Sequence, residues 1–148
     1  MNTYSGVWRC IQRLHQIYPF EVEKIFQSVG IEKNLVTNQN VSMPVEIILN
    51  FVIEAQSIFK DELVSINFGR MAQVRPNYGE AFGLAFVYSR NLEQGLKLLQ
   101  SYISTELEGL NFLITEEKNL IKIQSVVDPD IKHPSIYENL GLSILASF

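Results

Sequence analysis

The hydrophobic period of this chain changes near Leu110, and that change constrains the fold more than any other feature. Before it, apolar residues recur every three or four positions; after it, they alternate. The first spacing lines one face of a helix, the second one face of a strand. Leu110, Phe112 and Ile114 alternate with Asn111, Leu113 and Thr115. After Glu116-Glu117-Lys118-Asn119, Ile121, Ile123, Ser125 and Val127 alternate with Lys122, Gln124 and Val126. Two such runs joined by a short polar turn predict a β-hairpin over residues 110–127. Asp128-Pro129-Asp130 ends it, and Pro134 can open a last helix with Tyr137, Leu140, Gly141, Ile144 and Phe148 on one side.

Upstream, the chain reads as helices joined by loops. Val7, Trp8, Ile11, Leu14, His15 and Tyr18 share one face, with Arg9, Gln12, Arg13 and Gln16 opposite. Pro19 stops that helix and opens the next, whose stripe is Val22, Ile25, Phe26 and Val29 and whose C-terminal cap is Gly30. Residues 31–41 form a connector. Ser42 and Pro44 announce a third helix with Val45, Ile48, Leu49, Val52, Ala55 and Phe59 inward; Ile47, Phe51 and Ile53 widen the stripe, which places this helix in the middle of the core. Asp61 caps a fourth helix through Leu63, Val64, Ile66, Phe68 and Met71. Residues 73–79 break the pattern, and a short apolar run over 81–88 follows. Asn91 with Gln94 three residues on is a variant capping box for a helix burying Leu92, Leu96, Leu99, Tyr102 and Ile103. The fold class expected is therefore α+β and helix-rich, a helical N-terminal half followed by helix, β-hairpin and helix.

The 148 residues fit one domain, and their net charge of −4 argues against a grip on nucleic acid by these residues, since phosphate binding rests on many Lys and Arg. Cys10 is the single cysteine, so neither an intramolecular disulfide nor a cysteine-rich zinc site is possible; set among apolar neighbours, it points to a reducing cytoplasm. No apolar run is long enough to span a membrane. The chain stops on Phe148 within a helical pattern, which reads as a cut in a longer polypeptide.

Catalytic chemistry finds little support. A nucleophilic hydrolase needs a histidine base beside its nucleophile, and the two histidines have plainer uses: His15 as a half-buried, satisfied side chain, His133 as a loop residue before Pro134. No metal-ligand spacing occurs. A haem ligated by a lone histidine remains an alternative. Gly79-Glu80-Ala81-Phe82-Gly83 is too sparse for a phosphate loop, and Glu116-Glu117 sit in the expected hairpin turn. The residues thus point away from an enzyme and call for no cofactor or metal. What remains is a group of aromatics and arginines at the mid-chain break, Arg75, Tyr78, Phe82, Phe86, Tyr88 and Arg90. Arg75, Tyr78, Phe82, Phe86 and Tyr88 are the candidate ligand-binding residues, because small-molecule sites are apolar pockets with a few polar groups. The plainer alternative makes Phe82 and Phe86 core and leaves Arg75 in solvent.

Three stretches carry a resemblance. The first is Gly30-Ile31-Glu32-Lys33-Asn34-Leu35 leading to Val41-Ser42-Met43-Pro44 and a long helix. The second is the apolar-arginine loop Arg75-Pro76-Asn77-Tyr78-Gly79. The third runs Gly79-Glu80-Ala81-Phe82-Gly83-Leu84-Ala85-Phe86-Val87-Tyr88-Ser89 into Asn91-Leu92-Glu93-Gln94-Gly95-Leu96, with Asn91 for the usual threonine and Gly95 for the usual alanine. Together with the hairpin, residues 30–127 resemble the N-terminal, arabinose-binding-like sensor region of AraC-type transcriptional regulators, in the group related to the ornithine- and arginine-responsive regulators. The resemblance implies a single ligand-sensing and dimerisation domain over residues 1–148. A small-molecule effector would bind it, a homodimer would form, and DNA would be met only through a C-terminal pair of helix-turn-helix motifs; nothing after Val127 resembles such a motif. An interaction module without ligand and a cofactor-bearing sensor are the alternatives.

Overall fold

A computed structural model describes residues 2–3, 5–38, 41–61, 64, 66–67, 88–118 and 120–145. Its order is β1 (Asn2–Thr3), α1 (Ser5–Ile17), α2 (Pro19–Val29), a 3₁₀ turn (Lys33–Thr37), β2 (Met43–Pro44), α3 (Val45–Phe59), α4 (Leu92–Glu106), β3 (Leu110–Glu117), β4 (Leu120–Val127) and α5 (Pro134–Leu145). The fold is α+β and helix-rich, and helix, hairpin and helix follow the helical N-terminal part as expected. The greater part of the helix expected after Asp61, the break at 73–79, the apolar run up to Val87 and residues 146–148 lie outside the described residues; Val64, Ile66 and Asn67 are helical.

Each helix end has a local cause. Gly30 adopts φ 77°, and its N–H and that of Ile31 both reach the Phe26 carbonyl, which closes α2 and buries Ile31. Lys60 repeats that geometry at the end of α3 with φ 51°, the Lys60 and Asp61 N–H groups meeting the Gln56 carbonyl. At the start of α4 the Asn91 side chain accepts from Gln94 N–H at 2.8 Å, and the Gln94 side chain accepts from Arg90 N–H at 2.9 Å. That exchange is the expected capping box, shifted by one residue on its return arm.

The core forms around α3, whose Ile48, Leu49, Phe51, Val52 and Ala55 are buried against α2 and α5. Phe26 of α2 meets Trp8 and Phe51 with ring centroids 6.1 and 6.0 Å apart, so α1, α2 and α3 share one aromatic seam. β1 pairs with β2, Asn2 opposite Pro44 and Thr3 opposite Met43, a contact no periodicity foretold. Gln12, expected on the outer face of α1, instead donates from Nε2 to the carbonyls of Val36 and Asn38, and Trp8 Nε1 donates to Asn38 as well. These bonds satisfy connector carbonyls that have no ladder to join. On α4, Leu96, Leu99 and Ile103 are buried, but Leu92 is 60% and Tyr102 48% exposed, because β3 covers only part of the apolar stripe.

The hairpin is tighter than the sequence indicates. Its register runs from Leu110 opposite Val127 to Glu117 opposite Leu120, so only two residues separate the strands. Lys118 takes φ 57°, the left-handed backbone that two-residue hairpin loops require. Glu116 and Glu117 therefore belong to β3 rather than to the turn, and as successive strand residues they point to opposite faces. Leu110, Phe112, Ile114, Ile123 and Val127 face inward onto the core. Gly141 lets α5 approach this face: a Cβ there would lie 2.2 Å from Leu110 Cδ2. Tyr137, fully buried on the same helix, donates its hydroxyl to the Glu108 carbonyl at 3.0 Å.

Candidate functional site

Of the five candidate ligand-binding residues, Arg75, Tyr78, Phe82 and Phe86 lie outside the described residues. Tyr88 is described and is 79% exposed, just ahead of the α4 cap. The expected pocket is thus neither assembled nor dispersed by the described geometry.

The described residues do form a cleft at the end of the chain segment that leads toward those candidates. Leu14 from the last turn of α1, Tyr18 from the junction of α1 and α2, Phe59 from the end of α3, and Asp61, Val64 and Asn67 line a hollow of about 320 Å³. Tyr18 and Phe59 meet edge to face, ring centroids 5.1 Å apart, and make an aromatic wall. Leu14 and Val64 are buried and form the floor. Asn67 Nδ2 donates to Asp61 Oδ2 at 3.0 Å, which puts a carboxylate and an amide together beside the wall. An apolar body with one polar corner is the general make-up of a small-molecule site. The carboxylate accepts hydrogen bonds and prefers a cationic or donor-bearing group; the aromatic wall takes aliphatic or planar surface. Tyr18 and Phe59 each stand at the end of a recognised apolar stripe, and Asp61 at a predicted helix cap. What sequence reasoning missed was their meeting, since the contact of α1 with the end of α3 leaves no trace in either period.

Nearby charge is arranged differently. His15 lies half-buried, stacked parallel to Phe26 at 6.0 Å, with Nε2 3.4 Å from Glu23 Oε1. Lys33 reaches the same carboxylate oxygen at 2.6 Å. The hydrogen bond from Lys33, followed by the one from His15, holds the Glu23 carboxyl below its usual range. His15 is thus a partnered, packed side chain, as its place on the apolar face of α1 implies. His133 is exposed in a left-handed conformation, φ 56°, and its carbonyl accepts from Ile136 and Tyr137 at the start of α5.

A second hollow, of about 270 Å³, separates the start of α3 from the loop before α5, lined by Pro44, Val45, Leu49 and Ile131 and spanned by the Lys132–Glu46 ion pair at 2.5 Å. Both partners are largely exposed, so the pair contributes little to stability. Among the described residues no group of three or more His, Cys, Asp or Glu side chains converges in a way that holds a metal ion, and no helix is long and apolar enough to cross a membrane. Compared with known proteins, the chain matches no family model, and no curated protein matches it significantly.

Proposed function

We propose that this chain is the effector-sensing and dimerisation domain of a cytoplasmic AraC-type transcriptional regulator, acting allosterically on a DNA-binding pair of helix-turn-helix motifs that follows it in the whole protein. The observation that carries the reading is the succession of Asn91-capped helix, two-residue-turn hairpin and closing helix, with the Asn91–Gln94 cap formed where the resemblance places one. The effector enters beside Tyr18 and Phe59, its polar group on Asp61 and Asn67. Its binding favours one arrangement of a dimer, which sets how two helix-turn-helix units meet their half-sites. The chain's negative charge fits a division of labour in which DNA contact belongs elsewhere.

Thermal-shift screening of the 148-residue chain against amino acids and fatty acids tests this reading. A saturable rise in melting temperature is expected for one ligand class, by about 3 kcal/mol of stabilisation at a hundredfold excess over Kd. Asp61→Asn and Tyr18→Ala should abolish that rise. No rise with any compound, or tight duplex-DNA binding with a steep salt dependence, would count against it. A ligand-free interaction module is the second reading, favoured by the open edges of the β3–β4 hairpin.

A further inference from the structure

The hairpin ladder shows which backbone groups remain for a partner. Asp128 N–H donates to the Gly109 carbonyl at 2.8 Å, continuing the β3–β4 register by one pair. Ladder bonds in an antiparallel pair fall on alternate residues. They therefore fall on 109, 111, 113, 115 and 117 of one strand and on their partners 120, 122, 124, 126 and 128 of the other. The N–H and C=O groups of Ile121, Ile123 and Ser125 consequently point away from β3, along the far edge of β4. Among the described residues, no other backbone group bonds to them. On the face turned away from the helices, Leu113, Leu120 and Val126 are 50%, 73% and 43% exposed. A regular eight-residue edge without proline, flanked by exposed apolar side chains, is a template for strand addition.

We propose that the β4 edge joins two copies of this chain, β4 against β4 about a two-fold axis at Ile123, into one continuous four-stranded antiparallel sheet. Charge selects this occupant and this strand. In the register centred on Ile123, Leu120 lies opposite the partner's Val126 and Lys122 opposite the partner's Gln124. β4 carries one charged side chain, Lys122, so no like charges oppose each other across the axis. The β3 edge is the poorer one on different grounds: centred on Ile114, it opposes no like charges but sets the Glu116 carboxylate against the partner's buried Phe112 on the inner face, where a charge loses water without a counter-ion. Two acids at the end of β3 thus guard that edge, and pairing through β4 alone closes a dimer instead of growing a filament. The surface rests on the dimerisation half of the function proposed above and is independent of any effector.

Sedimentation velocity from micromolar to near-millimolar concentration, with amide exchange by NMR, provides the test. A concentration-dependent dimer is expected, with the Ile121, Ile123 and Ser125 amides protected in the dimer and exchanging freely in the monomer. Ile121→Pro removes an outward donor without touching the hairpin's own ladder and should leave the chain monomeric. Gln124→Lys, at an exposed position, sets two symmetry-related like-charge pairs against Lys122 and should weaken the dimer about tenfold; Gln124→Glu should tighten it to a similar degree. A chain that stays monomeric throughout, or a dimer indifferent to both Gln124 variants, overturns the interface, and the Gln124 pair decides even where Ile121→Pro impairs folding. A β4 dimer that responds to no effector upholds the interface while removing the sensing role; a monomer that binds an effector does the reverse.

Discussion

Lys60 and Gly30 close their helices with the same left-handed backbone, φ 51° and 77°, and the same pair of N–H groups on one carbonyl. For an L-residue with a Cβ that conformation costs about 1–2 kcal/mol, which glycine avoids. Gly30 has open space where its Cβ would be, so Gly30→Ala should destabilise through backbone strain alone, by about 1 kcal/mol. Lys60→Gly should stabilise by a similar amount, because the exposed lysine gives up little when removed. Urea denaturation of both variants tests the pair: equal shifts of the same sign would show that the two caps are not equivalent. Gly30 was readable because glycine announces the left-handed cap; Lys60 was not, since lysine carries no such signal and takes this conformation only where the helix must stop.

At the level of elements, the closest approach is that of α5 to the hairpin. Gly141 sits against Leu110, itself buried, with Phe112 Cζ 3.6 Å from the position a Cβ would take. Gly141→Ala gains about 1 kcal/mol of helix propensity but forces Leu110 aside in a packed interior, at a cost of about 1–3 kcal/mol. A net loss of stability is expected, and coupling the substitution to Leu110→Ala should recover part of it. Stabilisation by Gly141→Ala alone would mean that the α5–hairpin contact is looser than this packing. The hairpin itself was legible in the alternation after Leu110, as were α1 to α3 in their three- and four-residue stripes. The sequence pattern makes the turn two residues too wide because Glu116 and Glu117 are polar, and polarity does not distinguish a turn from the wet end of a strand. Likewise Leu92 and Tyr102 carry the right period on α4 but lie beyond the area that β3 covers.

Across the whole molecule, the buried phenol of Tyr137 ties folding to pH. Burial, and then the Glu108 carboxylate, push its ionisation above the ordinary tyrosine range. The unfolded phenol ionises near pH ~10, so the stability this group contributes is complete below that pH and falls as pH rises from there toward the higher folded value. Tyr137→Phe should cost about 1 kcal/mol at neutral pH through the lost bond to Glu108. That deficit should shrink above pH ~10, where only the wild-type chain has this buried phenol to ionise; denaturation at pH 8 and pH 11 compares them, and a constant deficit would contradict the burial argument. The same scale divides what could be known in advance. Sequence alone determined the helix stripes, the Gly30 and Asn91 caps, the hairpin and the α+β class, because each follows from a period or a cap within a few residues. Tertiary structure decided the β1–β2 pair, the Gln12 and Trp8 bonds to the connector, the cleft of Tyr18, Phe59, Asp61 and Asn67, and the open edge of β4. Each of these depends on which surfaces meet across many residues, and a periodic pattern states how much of a side is apolar, not what covers it.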